Sequence, residues 1–222
     1  MPCAGPQGRR STSIDPGYES AEAPQTQFAD WTPRNTEAHE ETVEVYSNCQ
    51  EVELVLNDRS LDSKPRNADD SARTWQVAYE PGVLKAIGKN AFGQIVATHE
   101  LRTAGRPAKI VLYPDRMSIS PAWDDVSYVE VTIVDDKGVL VPTASDLVTF
   151  KITGPGVVAA VDSGSIASHE PFQAMQRKAF QGRCVAMVKA TGAAGRITLT
   201  AQADGLPEAS VTLEAVPVSA GR

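Results

Sequence analysis

Aromatic residues make up only 6% of this 222-residue chain, too few for a dense stacking surface. Basic residues are scarce as well: 21 Lys and Arg stand against 28 Asp and Glu, for a net charge of −7 and a pI near 5.0. No cluster of Lys and Arg supplies the footprint that nucleic acid or an anionic membrane requires, so neither partner is expected. No run of about 18 apolar residues offers a membrane span. The opening MPCAGPQGRRSTSIDPGYES lacks the unbroken apolar stretch of a signal peptide, so no export signal is expected in it. Cysteine is rare too. Cys3, Cys49 and Cys184 lie far apart and make no C-x-x-C pair of the kind a structural zinc site uses, so no metal and no cofactor are expected. A Cys49–Cys184 disulfide would have to join separate modules, and both are expected to be free thiols carried on strands.

What is present is a two-residue rhythm. Residues 1–36 are rich in Pro, Gly, Ser, Gln and charge, without period, and read as a disordered tail whose Trp31 is suited to dock on a neighbouring domain. From residue 37 the apolar side chains recur at i, i+2: Val43 and Val45; Val52, Leu54 and Leu56; Trp75, Val77 and Tyr79. Such spacing puts them on one face of half-buried strands. Asn57-Asp58 supplies a tight hairpin and Pro81-Gly82 a type II turn. A further hairpin, Leu84–Ile87 against Ile95–Thr98, closes a first module at Ala104. The stiff Gly105-Arg106-Pro107 step marks a boundary. A second module over 105–217 follows, with strands around Ile110, Val131, Phe150, Ala186, Leu199 and Leu213, and a disordered end at 218–222. Many short strands with no amphipathic helix imply an all-β fold of two tandem antiparallel β-sandwiches.

Several phrases carry a family likeness. VEVYSNCQEVELVLNDRSL (Val43 to Leu61), WQVAYEPGVLKAIG (Trp75 to Gly88), ATHELRTAGRPAKI (Ala97 to Ile110), DDVSYVEVTIVDDKGVLVPTASDLVTFKITGPG (Asp124 to Gly156) and SHEPFQAMQRKAFQGRC (Ser168 to Cys184) are weak singly. Their order and spacing over residues 40–215 resemble the C-terminal, non-catalytic immunoglobulin-like modules of glycoside hydrolase family 2, of the β-galactosidase type. Asp58 stands where the family commonly has Gly, and Ser163 and Ser165 replace its usual Asn and Asp.

The resemblance implies a structural region supporting a catalytic barrel, with that barrel as partner, and a compartment often periplasmic or secreted. It carries over no catalytic residue. The two carboxylates of a retaining glycosidase belong to a barrel of about 250 residues, which this chain has neither the length nor the pattern to form. The alternative is a free-standing carbohydrate-binding or adhesion-type module. Candidate contacts with sugar or partner are Trp123, Asp124, Asp125, His169, Glu170 and Arg177. For Trp123 the sequence favours a ring that covers its own core or the seam between modules over one offered to a pyranose. Asp69-Asp70, Asp124-Asp125 and Asp135-Asp136 read as turn carboxylates bound to local backbone, with calcium as the sharper alternative. Ser168-His169-Glu170 cannot act as a relay, since adjacent side chains diverge. The 162–171 loop is expected to pack on its sandwich through Phe172 and Phe180, with Arg177 or Lys178 paired to a carboxylate such as Glu170.

Overall fold

The structure, a computed structural model, describes residues 10–12, 26–35 and 37–217. Most of the expected tail, the expected disordered end and Cys3 lie outside them. The chain divides into two compact units, Met1–Thr103 and Ala104–Arg222, and every described element is a strand.

In the first unit β1 (Arg10–Thr12) pairs with β2 (Thr26–Phe28), antiparallel. Then come β3 (Glu40–Val45), β4 (Glu51–Leu56), β5 (Arg59–Pro65), β6 (Arg73–Ala78), β7 (Val83–Lys89) and β8 (Ile95–Arg102). They form a β3-β6 pair and a four-stranded sheet in the order β5-β4-β7-β8, all antiparallel. The alternating residues named above turn inward together: Val43, Val45, Val52, Leu54, Leu56, Trp75, Val77 and Leu84 are buried in one cluster. Asn57 and Asp58 take φ of 49° and 61°, the left-handed pair of a two-residue hairpin between β4 and β5. Asp58 therefore fills the usual glycine position at modest strain. Gly82 is glycine for a packing reason, since a Cβ there would fall 1.8 Å from Asn57 Oδ1. That oxygen accepts the Val83 amide at 2.9 Å.

Trp31 changes the picture of the tail. Its side chain is 1% exposed and belongs to the core of the first unit. The indole Nε1 donates to the Glu80 carbonyl at 2.9 Å, the Thr103 hydroxyl donates to the Trp31 carbonyl at 2.9 Å, and the ring tilts against Tyr79 with centroids 5.3 Å apart. Packing in this unit thus starts before residue 37. A buried cation of this unit is held by backbone carbonyls: Arg73, at the inward position two residues before Trp75, donates to Pro65, Ser47 and Cys49 at 2.9, 3.0 and 2.6 Å.

The second unit has β9 (Lys109–Pro114), β10 (Ser118–Ile119), β11 (Ser127–Val134), β12 (Leu147–Thr153), β13 (Gly156–Asp162), β14 (Gln176–Lys178), β15 (Arg183–Ala190), β16 (Gly195–Gln202) and β17 (Ala209–Ala215). Their two sheets run β10-β17-β16-β12-β14 and β13-β15-β11-β9. Only the short β10-β17 pairing is parallel. Between the sheets lie Val129, Val131, Val148, Phe150, Ala186, Val188, Ile197, Leu199 and Leu213. Two antiparallel sheets closed over one core make an immunoglobulin-like sandwich. Cys49 and Cys184 are both free and buried; Cys184 is on β15, whereas Cys49 sits in the bend before β4 and not on a strand.

Replacing Trp31 with Ala removes a fully buried ring and should cost the first unit about 3–5 kcal/mol. Urea unfolding of the purified chain measures this; an unchanged midpoint would place Trp31 outside the core.

Candidate functional site

Two loops of the second unit hold the candidate residues. The first joins β10 to β11. Asp125 organises it: its carboxylate accepts the Ser120 amide and hydroxyl, both at 2.7 Å, and Arg116 Nη1 at 3.2 Å. These bonds, the Ser120 amide foremost, hold the Asp125 carboxyl below the usual carboxylate range. From the other side Lys189 of β15 donates its ammonium to the Trp123 carbonyl. The backbone is pinned at both ends, yet the Trp123 side chain is 85% exposed. The ring therefore does not cover its own core, one of the two places the sequence favoured for it. Asp124 is exposed beside it, while Asp125 is spent on the loop. Tyr113 and Tyr128, on the outward side of β9 and β11, are exposed as well.

The second loop runs from the end of β13 through β14. Its organiser is Arg177, the central residue of β14, only 1% exposed. The guanidinium donates to Asp162 Oδ1 at 2.9 Å, to the Glu170 carbonyl at 3.0 Å and to the Ser163 hydroxyl at 3.3 Å. Its face lies 5.4 Å from the Phe172 ring centroid. The expected pairing of Arg177 with a carboxylate is present: Asp162 is the hydrogen-bonded partner at 2.9 Å, and the Glu170 carboxylate lies 3.9 Å away. Glu170 is fixed differently, accepting the Ser168 hydroxyl at 3.0 Å and the Lys178 amide at 3.1 Å. A planar guanidinium shared among three acceptors along the loop makes its shape specific, which Lys could not do. Buried this way, Arg177 cannot itself touch a ligand.

Other expectations shift too. Phe172 is 61% exposed and Phe180 42%, so neither is a buried anchor. His169 is exposed. Burial, with Arg177 opposing it, pushes the nearby Cys184 thiol up to about 12, which keeps it protonated and unreactive at neutral pH. Of the turn carboxylates, Asp69 accepts the Ser71 amide, whereas Asp70 is bonded by the Arg66 guanidinium. Asp135 accepts the amides of Gly105, Lys137 and Val139 at 2.8–2.9 Å. Burial raises the Asp135 carboxyl, but those amides outweigh it and leave the group below its ordinary value. Among the described residues no group of three or more His, Cys, Asp or Glu side chains is placed to hold a metal ion. No helix among them is long and apolar enough to cross a membrane.

Residues 110–212 match a family model described as glycoside hydrolase family 2 C-terminal domain 5. The second unit belongs to the C-terminal domains of glycoside hydrolase family 2. Residues 39–97 match a domain of unknown function, DUF4982. The chain is 39% identical over 170 residues to a β-galactosidase of Bacteroides ovatus, covering 77% of this chain and 20% of that protein. It is 29% identical to a β-galactosidase of Thermoanaerobacter pseudethanolicus, covering 75% of this chain and 23% of that one. Among solved structures, a family 2 glycosyl hydrolase of Bacteroides cellulosilyticus superposes with a TM-score of 0.87 at 32% identity, over 96% of this chain and 28% of its own. The chain thus spans 20–28% of the length of these relatives.

Arg177→Met leaves the Asp162 carboxylate and the Glu170 carbonyl without their donor. It should destabilise the second unit by about 2–4 kcal/mol, read from chemical denaturation. A change below about 0.5 kcal/mol, the scale of ordinary surface substitutions, would contradict the organising role.

Proposed function

We propose that this chain is a non-catalytic accessory region of a β-galactosidase-like family 2 enzyme and packs against a catalytic barrel that its own 222 residues do not form. One observation carries the reading: 96% of the chain superposes on 28% of a family 2 hydrolase. The larger remainder of such an enzyme is where a barrel of about 250 residues has room. The chemistry of the described residues agrees. Asp125, Asp135 and Asp162 are each committed to local amides or a guanidinium, so none is poised as a general acid or nucleophile across a scissile bond.

The docking contact we assign to Trp123. A ring exposed on a backbone fixed by Lys189 and Asp125 loses little conformational freedom on burial, and a preorganised aromatic anchor is the usual centre of an interface. A free-standing carbohydrate-binding module is the second reading, favoured by exposed Asp124 next to that ring, where a carboxylate would accept sugar hydroxyls.

Incubating the pure chain with a chromogenic β-galactoside tests the absence of catalysis. The expected result is hydrolysis at the buffer rate; turnover that rises in proportion to this protein and survives repeated purification would refute the accessory reading.

A further inference from the structure

The loop organised by Arg177 borders a groove of about 240 Å³ in the second unit, lined among others by Ser145, Ser165, Ala167, Glu170, Lys178 and Phe180. Sites for drug-sized ligands hold about 300–1,000 Å³, so this one suits a single small ring. Its wall is chemically mixed. Phe180, a residue 42% exposed, offers an aromatic ring. Glu170 is oriented by the Ser168 hydroxyl and the Lys178 amide, yet an ionised carboxylate has about four acceptor sites and so retains capacity for more donors. The Ser145 and Ser165 hydroxyls join none of the side-chain hydrogen bonds found among the described residues, and the Lys178 ammonium joins none of their ion pairs. These are available donors beside an available acceptor.

Charge narrows the ligand. The carboxylates of Asp162 and Glu170 are balanced by Arg177 and Lys178, and the groove gives an ionic ligand no surplus charge to meet. A neutral molecule with an apolar face and several hydroxyls fits all of these features together. We infer that this groove binds one neutral pyranose unit of a glycan, with the ring's apolar face on Phe180 and its hydroxyls shared among Glu170, Lys178 and the two serines. The inference rests on the reading that the chain serves a glycoside-cleaving enzyme. There it would hold a sugar outside the catalytic barrel.

The test is a titration of methyl β-galactoside into the isotope-labelled full chain, followed by amide chemical shifts, with glycerol at equal concentration as control. Saturable shifts confined to residues 163–170 and 178–180, absent with glycerol, are expected. Phe180→Ala and Lys178→Met change exposed side chains, so each should keep the remaining spectrum and bind roughly tenfold more weakly. No saturable shift in the native chain, shifts matched by glycerol, or affinity unchanged in both variants would overturn the inference. Neither substitution touches Trp123. Loss of sugar binding with barrel docking intact therefore sinks only the groove, and loss of docking alone leaves the groove standing.

Discussion

The core-forming strands of this chain hide chiefly every second side chain, so each sheet needs another layer over its apolar face. That single constraint orders the rest. In the second unit it sets Val129 and Val131 of one sheet against Val148, Phe150 and Leu199 of the other. It also leaves the alternate positions, Tyr113 and Tyr128 among them, facing out. Burial of these apolar faces is the dominant stabilising term. Loops at the sheet ends are then free to vary, and both candidate surfaces lie there.

Loop shape is fixed by charged groups that bond the loop backbone. Asp125 and Lys189 hold the Trp123 backbone from two sides, and buried Arg177 holds the 162–170 loop through Asp162, Ser163 and the Glu170 carbonyl. In both cases the charged residue is consumed by the scaffold and the displayed groups are its neighbours: Trp123 with Asp124, and Phe180 with Lys178. A side chain that organises a loop is thus distinct from one that meets a ligand.

The alternating strands were legible because their pattern is the physical cause of their burial: Val52, Leu54 and Leu56 alternate in sequence and are buried together. Strands without that pattern were not. β5 carries Arg59-Ser60-Leu61-Asp62-Ser63-Lys64-Pro65 at a sheet edge and has no buried face to write into its sequence. In β13 a register shift between Val158 and Ala160 breaks the alternation. In β14 the inward residue is Arg177, and a cation in a core position reads as surface. Trp31 was legible as a ring that docks, but its seat was not: its partners Glu80 and Thr103 are distant in sequence, which local composition does not encode. For the candidate site, sequence supplied the residues but not their roles. Asp125 looked as available as Asp124, and Arg177 as His169, until hydrogen-bond partners separated them.

An accessory region must have something to support. Mixing the chain with a family 2 catalytic barrel prepared without its C-terminal domains, and following association by sedimentation, measures this directly. The account predicts an equimolar complex that Trp123→Ser weakens by roughly tenfold or more. Failure to associate, or association indifferent to Trp123, would contradict it.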